Sequence, residues 1–191
     1  MNEPNFERDR WEGQMNPSER QLLYQVVMQT KPDTVVEVGT CRGGGSTYFI
    51  ACALRNLELG GKLFTCENNR EFYEYARNLY ATNPDFSGLE QHVDFTFGTA
   101  ADMAMKLGGY IDLCLLDGGA DRHSILYEFA MFRQLIPVGK FLLIHDWEEK
   151  DYEKCKLIRP ILLEDTDWQL VDRNMELVVF QRVADTHAEN S

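Results

Sequence analysis

Acidic residues follow several apolar runs in this chain, a pattern that can bring their side chains around one small ligand. Glu37 lies in the run TVVEV, and Glu67 ends the run KLFTCE. Asp117 follows IDLCLL, and the pair His145-Asp146 follows FLLI. Carboxylates accept hydrogen bonds from sugar hydroxyls, pair with cations and bind metal ions, while imidazole also acts as a base or a metal ligand. These residue types therefore predict a polar site for a ligand that carries hydroxyls, a positive charge or a metal.

Runs of apolar and β-branched residues alternate with stretches long enough for helices. The runs typical of strands are TVVEV, KLFTC, HVDFTF, IDLCLL, KFLLIHD, DWQLVDR and MELVVFQR. Helices are predicted between them over residues 45–57, 69–81, 99–107 and 122–135. The alternation predicts an α/β fold with a Rossmann-like, doubly wound sheet of seven strands, mostly parallel and covered by helices on both faces. The last two runs nearly meet around Asn174, which predicts an antiparallel hairpin and a reversed last strand.

The two ends of the chain differ in composition from its middle. The motif NPSE at residues 16–19 is typical of a helix start, with Asn16 as the cap, and it indicates where the domain begins. The predicted organisation is an N-terminal arm over residues 1–15, a domain over 16–183 and a disordered tail over 184–191. Phe6 and Trp11 are isolated aromatic residues in the polar arm, which suggests a lid over a substrate.

Composition and charge exclude several classes of function. The formal net charge is −12 and there is no basic stripe, which argues against nucleic acid as a partner. No apolar run reaches the roughly 18–20 residues of a membrane span, and the N-terminus lacks the order of a secretory signal, so a cytoplasmic location is expected. The five cysteines lie mostly in apolar runs, as expected for reduced, buried thiols. The expected partner is a small-molecule substrate, and formation of a homodimer is left open.

The stretch VVEVGTCRGGGST, which begins at Val35, joins the first predicted strand to a helix. A dinucleotide fingerprint needs glycine where this chain has Cys41, and a P-loop needs a lysine before the serine, so neither phosphate motif is present. Glu37 disfavours a pyrophosphate and suits a cation, whereas Glu67 can accept two hydrogen bonds from a ribose diol. The pattern predicts a ligand with a ribose, an adenine and a positively charged aminoacyl tail. A structural role for Glu37 and a simple turn at Glu67 stay open as alternatives.

On these motifs the chain resembles the class I S-adenosylmethionine-dependent methyltransferases. VVEVGTCRGGGST is similar to their E-x-G-x-x-x-G-x-S/T cofactor loop, and Glu67 is similar to their ribose acid. FGTAADM resembles the third-strand loop that packs on adenine, and IDLCLLDGG resembles the fourth-strand motif at the reaction centre. The resemblance covers residues 16–183. It implies S-adenosyl-L-methionine as the cofactor, bound by Glu37, Gly39, Thr40, Gly43, Ser46, Glu67, Asn68, Thr99, Ala100 and Asp117.

The spacing of Asp117 and the His145-Asp146 pair is similar to that in the catechol O-methyltransferase-like group and in related small-molecule and sugar O-methyltransferases. This resemblance implies O-methylation of a hydroxyl on a small molecule, with a divalent metal held by Asp117, His145 and Asp146. Oxygen ligands suit Mg²⁺, and the imidazole shifts the preference toward Mn²⁺ or Fe²⁺. Relatives often carry Lys or His three residues after the first Asp, where this chain has Ala120. The catalytic candidates are therefore Asp117, His145 and His123.

Three other functions are kept as alternatives. The lack of a basic residue at position 120 leaves room for a cofactor-binding protein without transfer activity, or for a metal-dependent hydroxylase-like relative on the same fold. A nicotinamide-dependent oxidoreductase is more remote, because it would need a glycine at position 41 and no constellation for hydride transfer is recognisable.

Overall fold

The structure is a computed structural model that describes residues 3–7, 15–118, 121–148 and 153–186. The chain divides into two compact units, Met1–Leu107 and Gly108–Ser191.

The first unit contains a parallel part of the sheet together with its helices. Its elements are α1 (Pro17–Thr30), β1 (Thr34–Val38), α2 (Ser46–Leu57), β2 (Lys62–Glu67), α3 (Arg70–Thr82), β3 (Val93–Phe97) and α4 (Ala100–Ala104), with short 3-10 helices at Pro84–Phe86 and Glu90–His92. β1 pairs in parallel with β2, and β2 pairs in parallel with β3. The carboxyl ends of these strands, and the loops that follow them, therefore lie at the same edge of this unit.

The second unit contains both parallel and antiparallel strand pairs. Its elements are β4 (Leu113–Leu116), α5 (Arg122–Leu135), β5 (Phe141–Ile144), α6 (Glu153–Glu164), β6 (Trp168–Asn174) and β7 (Leu177–Arg182). β4 pairs in parallel with β5, while β7 runs antiparallel to both β5 and β6. The register of the β6–β7 pair shifts between Leu170 and Asp172, as it does at a β-bulge. The predicted hairpin and the reversal of the last strand are confirmed.

The strands of the described residues form a seven-stranded sheet in the order β3-β2-β1-β4-β5-β7-β6. This confirms the predicted Rossmann-like α/β fold, with a mostly parallel sheet whose last strand is antiparallel. Each predicted strand run overlaps an observed strand, with ends that differ by at most two residues, which is a usual uncertainty for element boundaries. No helix within the described ranges combines the length and the apolar character that crossing a membrane would require.

The predicted start of α1 is confirmed by its capping contacts. The Asn16 side chain accepts hydrogen bonds from the backbone N–H groups of Ser18 and Glu19, each at 3.1 Å, and Glu19 Oε2 accepts one from the Asn16 N–H at 3.0 Å. This reciprocal capping box satisfies backbone donors that a first helical turn leaves without partners in the helix. Pro17 occupies the first turn, where its missing N–H costs nothing.

α6 is a helix that the sequence pattern does not predict. Pro160 lies inside it, and a proline inside a helical pattern normally indicates a helix end because the residue lacks an N–H donor. The buried positions of α6 nevertheless have helical spacing: Lys154, Ile158 and Leu162 are each only 1–2% exposed. A lysine in a buried stripe is unusual, and its charge needs partners inside the unit.

Phe6, in the described part of the N-terminal arm, packs on two helices. The ring of Phe6 stacks on that of Phe49 in α2 and meets that of Tyr24 in α1 edge-on, with centroids 5.6 Å apart in both pairs. Phe6 is therefore packed on helices of the first unit. Trp11, the other aromatic residue of the lid hypothesis, lies outside the described residues, and the lid stays a prediction.

The C-terminal segment has contacts up to Thr186. The backbone N–H of Val183 donates to the Asp167 carbonyl at 2.7 Å, and the N–H of Thr186 donates to the Asp167 carboxylate at 3.2 Å. Residues 187–191 lie outside the described residues. The division into arm, domain and tail stays a prediction.

Candidate active site

The loop between β1 and α2, residues 39–45, is the glycine loop predicted for a cofactor. Its backbone enters the left-handed region at Gly39, Cys41 and Gly43, with φ values of 101°, 50° and 75°. The N–H groups of Gly39 and Thr40 donate to the Cys66 carbonyl at 3.2 and 3.1 Å, and the Gly43 N–H donates to the Thr40 carbonyl at 2.9 Å. Backbone hydrogen bonds to the end of β2 therefore define the shape of this loop.

Gly43 packs against α3 so closely that a side chain would not fit without movement. A Cβ atom at this position would lie 3.0 Å from the Ala76 Cβ and 3.3 Å from Tyr80 Cε2. The Tyr80 hydroxyl donates to the Gly43 carbonyl at 3.1 Å. Burial, assisted by the negative charge of Glu37, raises the pKa of Tyr80 well above its usual value, so the phenol remains a neutral donor.

Glu37 is fully buried in β1, and it accepts hydrogen bonds from two threonines. Its Oε2 accepts hydrogen bonds from the hydroxyls of Thr47 in α2 and Thr65 in β2, both at 2.7 Å. The Thr65 hydroxyl lies 2.5 Å from that of Thr40 in the glycine loop. These are the contacts of a structural carboxylate that ties β1 to the start of α2 and to β2. A contact between Glu37 and a cofactor stays a prediction.

Glu67 joins the loops that follow β1 and β2. Its Oε2 accepts a hydrogen bond from the Cys41 N–H, and its Oε1 accepts one from the Asn69 N–H, both at 2.8 Å. Each carboxylate oxygen can accept about two hydrogen bonds, so each oxygen can take a further donor. Glu67 is half-buried at the edge where β1 and β2 end. This geometry suits a ligand that presents two neighbouring hydroxyls.

The other predicted cofactor residues of this unit lie in the loops after the strands or in the first turns of the helices that follow. Asn68 and Thr99 are exposed, whereas Ser46 and Ala100 are buried. The Thr99 hydroxyl caps α4 by accepting from the Asp102 N–H at 3.3 Å. Hydrogen bonds from the Thr99 backbone N–H and hydroxyl lower the pKa of Asp102.

Phe97 begins the motif FGTAADM, but it is not among the predicted cofactor residues. It pairs in register with Glu67, at the end of β3, and is 42% exposed. The Arg70 guanidinium lies 4.6 Å from the centre of its ring, and the Tyr73 ring centroid lies 5.4 Å away. An exposed aromatic face beside Glu67 can stack on a flat ligand. The sequence signal that could have found Phe97 is its place at the end of HVDFTF, the strand run that follows the one ending in Glu67.

In the second unit, three of the predicted residues form an acid–imidazole cluster: Asp117, His145 and Asp146. His145 Nδ1 lies 3.0 Å from Asp117 Oδ1 and 3.1 Å from Asp146 Oδ1. One ligand atom of each residue lies within 4.8 Å of the others, which is the proximity that a metal site requires. The His145 N–H donates to the Leu116 carbonyl at 3.3 Å, so the pairing of β4 with β5 positions the cluster.

Asp146 is held in an uncommon conformation. Its φ is 62°, in the left-handed region that residues other than glycine seldom adopt, and such outliers concentrate at functional sites. Burial acts to raise the pKa of its carboxyl group, but interactions with His145 and with the Lys154 ammonium outweigh burial, and the pKa lies below the usual value. Asp146 is therefore ionised at neutral pH.

Lys154 of α6 completes this cluster, and the sequence interpretation misses it. Its Nζ lies 3.0 Å from Asp146 Oδ2 and 4.0 Å from Asp117 Oδ1, and donates to the Leu116 carbonyl at 3.4 Å. Its side chain is 2% exposed. The spacing of Lys154 with Ile158 and Leu162 is the signal that could have placed it inside.

His123 does not belong to the cluster. It lies in the exposed first turn of α5, where its backbone N–H donates to the capping carboxylate of Asp121 at 2.9 Å. Hydrogen bonds from the Ser124 hydroxyl and N–H lower the pKa of Asp121. Ala120 lies outside the described residues. The catalytic role of His123 stays a prediction, with no contact here that supports it.

Glu128 of α5 is a further titratable group that the sequence does not indicate. Burial raises the pKa of its carboxyl group from 4.5 to about 7, the charge of Lys154 opposes the shift, and the charge of Asp121 adds to it. Glu128 thus changes its ionisation near neutral pH.

Substitution of Glu128 by glutamine should make the protein less sensitive to rising pH. Because the folded-state pKa is raised, the wild type loses stability as pH increases from about 4.5 to about 7. Partial solvent exposure screens the group, so we expect a gain of about 1 kcal/mol for Glu128→Gln at pH 8 and almost none at pH 5. Urea unfolding of both proteins at the two pH values measures this difference. An equal effect at both pH values would contradict it.

Known proteins share this architecture. A family model described as a methyltransferase domain matches residues 36–147, more than half of the chain. No curated protein sequence is significantly similar to the chain. Solved structures that resemble it include an O-methyltransferase from Bacillus cereus in complex with SAH, with a TM-score of 0.68, 16% identity, and coverage of 88% of this chain and 82% of that chain.

Two further structures are similar to the same extent. TomG from Streptomyces achromogenes, an O-methyltransferase involved in tomaymycin synthesis and solved with SAM, has a TM-score of 0.68 at 19% identity over 90% of this chain and 82% of its own. A methyltransferase from Geobacter sulfurreducens has a TM-score of 0.68 at 17% identity over 89% and 80%. These structures show the fold, and the family match shows the family. The chain therefore belongs to the methyltransferase-domain family and is a class I S-adenosylmethionine-dependent methyltransferase.

Proposed function

We propose that the protein transfers the methyl group of S-adenosylmethionine to a hydroxyl oxygen of a small molecule. The observation that carries the cofactor half of this proposal is the carboxylate of Glu67, which is held by two backbone N–H groups and retains acceptor capacity for a ribose diol. The O-methyltransferases among the similar structures, solved with SAM or SAH, support the choice of oxygen as acceptor.

The residues of the first unit would bind and orient the cofactor. Glu67 would accept the ribose hydroxyls, and the exposed ring of Phe97 would provide an apolar face for the adenine. The glycine loop would bring its backbone close to the aminoacyl tail, because Gly43 has no side chain to hold it away. Binding in one orientation is the main contribution that a protein makes to a direct transfer.

When bound, S-adenosylmethionine supplies the activated methyl group and a sulfur leaving group that departs as a neutral thioether. The chain's own task is to remove the proton from the acceptor hydroxyl. His145 is suited to this role, because its Nδ1 faces two carboxylates and would carry the proton there, which leaves Nε2 as the basic atom. Asp117 and Asp146 would orient the ring and stabilise its protonated form.

A metal-assisted form of the reaction meets a difficulty in the same cluster. Asp117, His145 and Asp146 offer suitable donor atoms for a divalent ion. However, the ammonium of Lys154 already pairs with Asp146 and approaches Asp117. The residues present therefore do not fit a resident metal well, and no step of the proposed reaction passes through one. A cytoplasmic location and a small-molecule partner belong to the proposal as expectations.

Membership of a methyltransferase family favours transfer over the alternatives. A cofactor-binding protein without activity, a hydroxylase-like relative and a nicotinamide-dependent oxidoreductase each need an observation that this site does not offer among the described residues. The deciding experiment incubates the protein with methyl-deuterated S-adenosylmethionine and separate panels of hydroxyl-bearing and amine-bearing small molecules. Mass spectrometry should find labelled methyl ethers. Labelled methylamines without ethers would overturn the choice of acceptor.

Substitution of Glu67 by alanine should weaken binding of S-adenosylhomocysteine by roughly ten- to a hundredfold. The expected change corresponds to the loss of one charge-assisted hydrogen bond to the ribose, which costs about 1.5–3 kcal/mol. Calorimetry measures both dissociation constants. Glu71→Ala is the matched control, because it removes an exposed carboxylate in the first turn of α3 and should leave binding nearly unchanged. Equal affinity for wild type and Glu67→Ala, or binding of NAD instead, would contradict the proposed site.

A further inference from the structure

We infer that Lys154 supplies the cation of the acid–imidazole cluster, in the place where a divalent metal would otherwise bind. The inference assigns Lys154 as a positioning residue for His145. This assignment rests on the proposed function, in which His145 is the base. The inference also predicts a metal-independent methyltransferase.

The ammonium group of Lys154 lies among three oxygen atoms of the second unit. Lys154 Nζ lies 3.0 Å from Asp146 Oδ2, 4.0 Å from Asp117 Oδ1 and 3.4 Å from the Leu116 carbonyl oxygen. All three oxygens follow or end strands β4 and β5. An ammonium has three donors and no acceptor; two of its donors can reach Asp146 and the Leu116 carbonyl, and Asp117 interacts with its charge from a longer distance.

The cluster contains two carboxylates that need a positively charged partner. Two carboxylates in a partly buried place repel each other and lose hydration, and such charges are tolerated when they are paired. The Lys154 side chain is 2% exposed, and those of Asp117 and Asp146 are 20% and 13% exposed. The lysine therefore offsets one of the two negative charges of the cluster.

The ammonium group of Lys154 excludes a divalent metal ion from the cluster. A protonated lysine cannot act as a metal ligand, and a divalent ion bound to Asp117 and Asp146 would lie within a few ångströms of the ammonium. Two positive groups at that separation repel each other strongly in a partly buried place. Metal binding would require Lys154 to leave or to lose its proton.

The Lys154 side chain has little freedom to leave the cluster. It occupies the buried stripe of α6 with Ile158 and Leu162, four and eight residues further on. Swinging the side chain into solvent would expose its partners and disturb this stripe. The same helix carries Lys156 on its exposed face, so the chain places one lysine inside and one outside.

The role of Lys154 follows from these contacts. By pairing with Asp146 and lying near Asp117, it holds the two carboxylates that face His145 Nδ1. It acts through them, as a positioning residue. The same arrangement in a metal enzyme would place a divalent ion at these carboxylates.

The test measures metal binding directly and does not depend on turnover. Wild-type protein, treated with EDTA and dialysed, is titrated with Mn²⁺ and followed by electron paramagnetic resonance and by the melting temperature. We expect no stoichiometric binding and no shift. Stoichiometric Mn²⁺ binding that disappears in Asp146→Asn would overturn the inference.

Variants of α6 sharpen the test. Lys154→Ala should gain Mn²⁺ binding, with a dissociation constant at least about tenfold lower than that of the wild type, while Lys154→Arg and the exposed control Lys156→Ala should behave as the wild type does. A folded Lys154→Ala variant that does not bind Mn²⁺ would show that Asp117 and Asp146 do not form a cation site. This result would overturn the inference. Should Lys154→Ala not fold, the wild-type titration decides alone.

Binding of S-adenosylhomocysteine, measured on the same samples, separates this inference from the proposed function. Protein that binds S-adenosylhomocysteine and also Mn²⁺ at Asp146 refutes the role of Lys154 and leaves the proposed function intact. Protein that binds neither refutes the cofactor site and still supports the absence of a metal site.

Discussion

Replacement of Gly43 by alanine is expected to destabilise the fold by about 2–5 kcal/mol and to weaken binding of S-adenosylhomocysteine. The φ of 75° costs a residue with a Cβ about 1–2 kcal/mol. The new methyl group would also lie 3.0 Å from the Ala76 Cβ, and overpacking of this kind costs about 1–3 kcal/mol. α3 would have to move away from the glycine loop, and the loop would lose its shape. Urea unfolding and calorimetry measure the two effects.

Gly60→Ala provides the matched control for backbone strain. Gly60 has a φ of 82°, and no atom lies within 4 Å of the place where its Cβ would be. This variant should therefore lose only the backbone contribution, about 1 kcal/mol, and should bind S-adenosylhomocysteine as the wild type does. Equal losses in Gly43→Ala and Gly60→Ala would show that packing against α3 is unimportant.

Replacement of Glu37 by alanine is expected to lower stability by about 3–5 kcal/mol. The change removes a buried carboxylate that accepts hydrogen bonds from Thr47 and Thr65, and hydrogen bonds to charged groups contribute about 1.5–3 kcal/mol each. It also leaves a cavity between β1, β2 and α2. Cofactor affinity should fall as an indirect result, because Thr40 of the glycine loop contacts Thr65.

A double-mutant cycle with Thr65→Val tests whether Glu37 acts through the threonines. The two losses of stability should be less than additive by about 1 kcal/mol or more, since both variants remove the same hydrogen bond. An unchanged melting temperature of Glu37→Ala, together with lost binding of S-adenosylhomocysteine, would instead mean that Glu37 contacts the ligand directly.

Much of the fold could be predicted because local patterns and tertiary structure agree. The β-branched run at Thr34–Val38, the cap at Asn16 and the near-contiguous runs around Asn174 each specify one local structure. The order of the acids was informative for the same reason, because the ends of parallel strands share one edge. Glu67, Asp117 and His145 could therefore be assigned to candidate ligand sites from the sequence alone.

The remaining features depend on contacts that no local pattern specifies. Because Pro160 interrupts the helical pattern of the sequence, α6 is not predicted, and without α6 the position of Lys154 cannot be inferred. The burial of Glu37 among threonines depends on the register that sets it opposite Thr65. The raised pKa of Glu128 depends on burial by the packing around α5, which outweighs the opposing charge of Lys154. In each case the missing information is a partner distant in sequence.

The register shift in β6 has a consequence for how the protein behaves among other copies of itself. β6 is an outermost strand of the sheet, and Leu170 and Val171 on it are 40% and 43% exposed. A regular apolar edge strand is a template to which another chain can add by hydrogen bonding. The irregularity between Leu170 and Asp172 interrupts the regular row of backbone donors and acceptors at the position of these apolar side chains. The charged residues Asp172 and Arg173 follow directly, so this edge is a poor nucleus for aggregation despite its exposed leucine and valine.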